Sequence, residues 1–327
     1  MRRRALLQGS LAGLLLAGCS AAPSPPPSLP PPPPRLHLDP LSDLLPAGGL
    51  DALAVIRWGE VFRALGPQVQ LLLPPDGLDA LGQYLGFDLR QIEELLVGTY
   101  GPTTVYLLRV PHDPIRVERL FRERLTDDQR RSSDGPGVVR MTGRIGSAPR
   151  GLATLLPDVL AFEVGPPGLL KAVVAFAQEK LRKARPALAA EPLSGAADRL
   201  GDGPIRLFFP SPEASWKGAH GLLERATAAA FSLRPSGENL ALRAVLLGAW
   251  DDPPTEALRR LSLTLEDVAG SSVGRLTGLN EPAEPYRVEG DGEVLRLTGT
   301  LSAEKLARGL RDITRAPMDE LFPGLRR

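Results

Sequence analysis

Cys19 is the only cysteine of the 327-residue chain and its best nucleophile. A lone thiol cannot close an internal disulfide, so its natural chemistry is to take up an alkyl group. The three histidines, His37, His112 and His220, are scattered. A zinc centre draws three or four protein ligands from close or convergent positions. With no H-E-x-x-H and no Cys–His cluster, neither metal nor cofactor is expected. His112 beside Asp113 spells half of an acid–base pair, but Pro111 and Pro114 around them favour a surface turn. Glu289, Asp291 and Glu293 surround two glycines. Calcium takes six to eight oxygens, so a tight hairpin is the better reading. Glu163 sits in the apolar run Val159-Leu160-Ala161-Phe162-Glu163-Val164. A lone acid is costly to bury, so it is expected at the solvent edge of a strand. There is no G-x-x-x-x-G-K phosphate loop and no G-x-G-x-x-G, and no serine is expected at a strand-to-helix elbow. No catalytic set is expected.

Cys19 gains meaning from the residues before it. Arg2, Arg3 and Arg4 form a positive start, and Leu6 to Ala17 is a short apolar stretch. That stretch falls below the roughly 20 residues a permanent membrane helix needs, and its small residues mark a targeting segment. Leu16-Ala17-Gly18-Cys19 resembles the lipobox of bacterial lipoproteins. The resemblance implies that residues 1–18 are removed as a signal peptide. It further implies that the Cys19 thiol receives a diacylglycerol and that the new amine is acylated. Several acyl chains, at about 0.8 kcal/mol per buried methylene, hold a chain at a membrane almost permanently. Ser20 resembles an outer-membrane sorting residue. Arg3-Arg4-Ala5-Leu6-Leu7-Gln8 also resembles a twin-arginine export motif, which leaves folded and unfolded export both open. From Pro23 to Pro34 the chain is proline broken only by Ser24, Ser28 and Leu29. Polyproline II at about 3.1 Å per residue gives a spacer on the order of 35 Å, so residues 19–37 are expected to form a lipidated tether.

Without the leader, 36 Lys plus Arg face 38 Asp plus Glu. No global field draws this body to nucleic acid. Arginine far outnumbers lysine, and proline and glycine number 34 each. In this style the body is similar to lipoproteins without assigned activity from high-GC, myxobacterium-like Gram-negative organisms, a likeness that supplies no functional residues. Aromatic residues make up only 5%, too few for extensive sugar-stacking platforms.

The elements follow from periodicity. Strands are expected at 53–58, 103–110, 138–145, 159–164 and 205–209. Two hairpins are expected, one around Pro235-Ser236-Gly237-Glu238 and one around Gly290-Asp291-Gly292. Helices are expected at 59–65, 77–85, 115–125, 168–185, 251–265 and 303–313, the last capped by Ser302. Arg90–Val97 places Ile92, Leu95 and Leu96 inward, and the charged stretch 127–136 is expected as an exposed turn. The pattern predicts an α+β body: antiparallel sheets with helices packed on one face, in two related lobes, 38–215 and 216–327.

The expected function is non-enzymatic: a lipoprotein with a binding, scaffold or envelope-assembly role on the periplasmic face of the outer membrane. Its partners would be membrane lipid, through acylated Cys19, and another envelope protein. A carrier of an apolar ligand, betrayed by an internal unfilled pocket, is the alternative. An envelope hydrolase using Glu163, His112 or His220 is a third.

Overall fold

The computed structural model describes residues 36–181, 184–215, 221–251 and 253–321. Cys19, the proline tether and His220 lie outside them.

Strand β1 (Ala52–Ile56) leads into helices α1 (Trp58–Ala64), α2 (Gly66–Leu72) and α3 (Pro75–Leu85). Strands β2 (Glu94–Tyr100) and β3 (Thr103–Arg109) complete a meander with β1. Helix α4 (Pro114–Arg124) then carries the chain across the sheet. Strands β4 (Asp127–Gly135), β5 (Val138–Ile145), β6 (Ala148–Leu155) and β7 (Val159–Val164) return from the edge until β7 pairs with β3. Helices α5 (Leu169–Ala177) and α6 (Leu193–Leu200) follow. The pattern then repeats in shorter form. Strand β8 (Ile205–Phe209), helix α7 (Pro212–Ser215), and strands β9 (Ala226–Ser236) and β10 (Asn239–Gly248) make a second meander. Helices α8 (Thr255–Gly270) and α9 (Ser272–Thr277) cross over, and β11 (Glu284–Gly290) and β12 (Val294–Ser302) return until β12 pairs with β10. Helix α10 (Ala303–Leu321) follows, with the Ser302 hydroxyl accepting from the Lys305 amide at 3.3 Å.

All twelve strands form one antiparallel sheet in the order β11-β12-β10-β9-β8-β1-β2-β3-β7-β6-β5-β4. The first strands of the two meanders pair with each other, Val55 opposite Arg206 and Leu53 opposite Phe208. The α+β antiparallel class is the expected one. The topological echo starts at β8, some ten residues before the expected division at 215, and its halves share one sheet.

Helices cover both faces of this sheet rather than one. Strand side chains alternate in direction, and here both directions are apolar. On the front face, Leu108, Leu152 and Leu160 pack under α3 and α4 through Leu78, Leu81, Val117 and Phe121. Farther along, Leu240 and Leu301 meet α1 and α2, and Leu246 and Leu295 meet α8. On the back, Leu53, Leu96, Leu107, Ala153 and Phe208 pack under α5 and α6. A sheet that is apolar on both sides needs two helical layers.

Three further expectations are corrected locally. Residues 94–100 form β2, so Leu95 and Leu96 both point inward but to opposite faces of the sheet, Leu95 to the front and Leu96 to the back. The charged segment 127–135 is strand β4 at the sheet edge, where both side-chain directions meet water. Helix α5 ends at Ala177 rather than Arg185. Glu179 adopts a left-handed backbone, and the amides of Glu179 and Lys180 turn back to Phe176 and Ala175, a helix-ending motif usually built on glycine.

Candidate functional site

Glu163 is the most unusual acid in the body, and the structure places it inside. Its side chain lies on the back face of β7, where the residue is 2% exposed. Oε1 accepts from the amides of Gly168 (2.9 Å), Leu169 (2.6 Å) and Leu170 (3.4 Å), the opening turn of α5. Space for it is made across the ladder by Gly151. A Cβ there would fall 2.6 Å from Leu170 and 3.2 Å from the Glu163 carboxylate. Burial pushes the Glu163 carboxyl above its ordinary range, and the three amides offset part of that. The acid thus completes a helix terminus. Its solvent-edge expectation is corrected, because capping donors satisfy the carboxylate internally. A cleft of about 320 Å³ beside it is lined by Arg130, Arg140 and Lys171, with no second acid among its lining residues.

The other sequence candidates are not brought together. The imidazole Nδ1 of His112 is 2.9 Å from the Val110 carbonyl, while Asp113 caps α4 by accepting from the amides of Ile115 (2.9 Å) and Arg116 (3.4 Å). Asp113→Ala is therefore expected to destabilise the fold by about 1 kcal/mol. A denaturant melt checks this, and Asp113→Asn should recover most of the loss. His37 faces Asp43 and Glu179 at 3.8 and 4.0 Å. In the β11–β12 turn, Asp291 accepts from the amides of Glu293 and Val294, while Glu293 pairs with Arg199. No group of three or more His, Cys, Asp or Glu side chains converges among the described residues. Arg57 is paired with Glu60 and Asp202, and Trp58 opens α1 against Phe62.

One motif escaped the sequence reading. Gly270-Ser271-Ser272-Val273-Gly274 spells the G-x-S-x-G pattern of a nucleophile elbow. It joins two helices here, without the strand that an elbow requires. The motif's central serine, Ser272, is the first residue of α9, and its neighbour Ser271 caps that helix, its hydroxyl donating to the Val268 carbonyl and accepting from the Gly274 amide at 3.0 Å.

The candidate site is instead a cleft of about 810 Å³ between α4 and the β4–β5 hairpin on the front face, open to solvent. Pro114 starts α4 behind the Asp113 cap. The 3.6-residue period then turns Val117 and Phe121 into the core and leaves Ile115, Glu118, Arg119 and Arg122 along the cleft. The opposite wall is Arg131 and Ser133 of β4, and Val139, Met141 and Thr154 line the cleft between. Glu118 braces the walls: it pairs with Arg131 at 3.1 Å and accepts from the Thr154 hydroxyl at 3.5 Å. Arg119 and Arg122 have no ion-pair partner among the described residues. Ile115 is 78% and Leu156 42% exposed at the rim. Sequence reading missed this site. Its arginines look like the ordinary wet face of a helix until β4 is recognised as a strand opposite them.

No family model and no curated protein matches the chain. Among solved structures, crystal form III of TP0453 is similar over 84% of this chain and 99% of that one, with 10% identity and a TM-score of 0.50. Crystal forms I and IV of the same protein are similar at 11% identity, with TM-scores of 0.47 and 0.48; they cover 85% and 83% of this chain and 98% and 96% of theirs. At such identity, the likeness to form III is one of fold: a large antiparallel sheet with helices, the α+β class described above.

Proposed function

We propose that this chain is a lipid-anchored, non-enzymatic docking protein of a bacterial cell envelope, tethered through Cys19, and that its α4 cleft receives a segment of another envelope protein. The observation that carries the docking role is Ile115, a large aliphatic side chain exposed above an open cleft and flanked by two unpaired arginines. Exposed aliphatic anchors beside arginine are the composition of a protein-binding patch. The openness of the cleft favours docking over carriage of an apolar ligand, which needs an enclosed space. The leader residues support the anchor.

Two measurements test this reading. Mass spectrometry of the membrane fraction should show a mature chain that starts at an acylated Cys19. An unmodified Cys19, or a soluble mature form, rejects the anchor. A photo-cross-linking residue at Leu156 should give a discrete protein adduct in intact envelopes. Ile115→Glu should abolish it, since loss of an interface anchor worth about 2 kcal/mol weakens binding roughly thirtyfold. An adduct that survives Ile115→Glu rejects the cleft.

A further inference from the structure

The two halves of the sheet differ in what covers their back face. In the first, α5 and α6 bury the strands. In the second, the helix after the last strand, α10, packs on the front with α2. The far ends of β9, β10 and β12 and the edge strand β11 are therefore uncovered at the back, and Ala241, Arg234, Arg243 and Arg287 are exposed there.

Register turns this bare surface into a row. Arg206 lies opposite Ser232, Ser232 opposite Arg243, Arg243 opposite Thr298, and Thr298 opposite Arg287. Guanidinium-bearing residues thus alternate with hydroxyls across five strands. At about 4.8 Å between strands, successive arginines stand roughly 9.6 Å apart and the row spans about 19 Å. A shallow groove of about 450 Å³ runs over it, lined by Ser232, Arg234, Arg243, Arg287, Thr298 and Thr300 among others.

Arg287, on the edge strand, has no ion-pair partner among the described residues. Arg206 is set apart from the groove: it is half-buried beside the carboxylates of Asp202 and Glu94 and is not among the lining residues. Arg243 and Arg234 donate only to the backbone carbonyls of Arg199 and Asp202. Two carboxylates border the groove. Asp202 is paired with Arg57 at 3.1 Å, and exposed Glu284 accepts from the Thr300 hydroxyl at 3.4 Å.

We propose that this uncovered face binds a carboxylate-bearing glycan strand, read by Arg243 and Arg287 and by the threonine hydroxyls beside them. Unpaired guanidiniums bind carboxylates through two parallel N–H···O bonds. Thr298 and Thr300, both half-exposed along the groove, offer partners to sugar hydroxyls. An extended peptide repeats its same-side groups about every 6.7 Å, poorly matched to this row, whereas a disaccharide repeat that carries one acid lies closer to it. The row also crosses the strands, so a peptide laid along it gains no backbone pairing.

The test uses the full-length protein in detergent and a fluorescent hyaluronan oligosaccharide, whose disaccharide repeat carries one carboxylate, with its methyl-esterified form and an oligoglutamate peptide as comparison probes. The acidic glycan should bind in a salt-sensitive manner, and the ester should not. Arg243→Gln with Arg287→Gln should weaken binding by about tenfold or more, while Arg259→Gln with Arg260→Gln on α8, which lie in neither cleft, should leave it unchanged. Arg287→Gln alone, at a side chain without an ion pair, should weaken binding with no change in melting temperature. Equal binding of the ester, tighter binding of oligoglutamate, or wild-type binding by the Arg243/Arg287 double variant overturns the proposal. None of these results bears on the α4 cleft.

Discussion

Replacing Glu163 by alanine is expected to lower the unfolding free energy by about 3 kcal/mol, a fall of roughly 6–12 °C in melting temperature for a body of this size. The estimate rests on what the carboxylate does. It satisfies three amides at the start of α5. Hydrogen bonds to a charged acceptor contribute about 1.5–3 kcal/mol each way they are measured, and donors left bare and buried add their desolvation cost. Glu163→Gln keeps an acceptor oxygen and should cost about 1 kcal/mol. It should also alter the pH dependence. Because burial holds the folded carboxyl above the 4.5 of an ordinary glutamate, the folded state binds this proton more tightly than the unfolded chain. The resulting stabilisation is complete below 4.5 and is lost as pH rises through the folded value. Wild-type stability should therefore decline across that window relative to Glu163→Gln, in melts recorded at a series of pH values. An alanine variant that melts within about 2 °C of wild type would remove the capping role.

The second large effect is expected at Phe208, which is 0% exposed on the back face of β8. It lies opposite Leu53 on one side and Ala230 on the other. The neighbouring alanines cannot close over the space that a phenyl ring leaves. Phe208→Ala should cost about 3–5 kcal/mol, and Phe208→Leu, which refills much of the volume, about 1.5 kcal/mol. Position makes the result informative beyond its size. β8 joins the two halves of the sheet, so hydrogen exchange in Phe208→Ala should accelerate together at Val55 in β1 and at Ala230 in β9. Exchange that changes on one side only would show that the halves unfold separately.

Legibility of this fold in the sequence depended on packing on one side only. Strands such as Thr103–Arg109 and the hairpin at Gly237 carry alternation or turn residues and are visible at once. β6 hides behind Pro149 and Gly151, yet Gly151 is there because the Glu163 side chain needs the room. β4 hides because an edge strand with both directions in water carries charge, the same device that discourages pairing with another chain. Helix α5 was overextended because Leu181 continues the period while Glu179 breaks the backbone. Chemistry was legible only as oddity. Glu163 stood out, but its partners are backbone amides that no side-chain motif can reveal. The α4 cleft combines two segments whose closeness depends on β4.

The pairing of β1 with β8 also sets an order of events. About 150 residues separate these strands along the chain. As the polypeptide emerges from its N-terminus, β1 can find β2, but its other edge stays open until β8 arrives. Contacts of such long span form slowly, because loop closure must be met before any packing is gained. The first half is therefore a late-maturing intermediate with one exposed apolar strand edge, the species most in need of protection before the chain is complete.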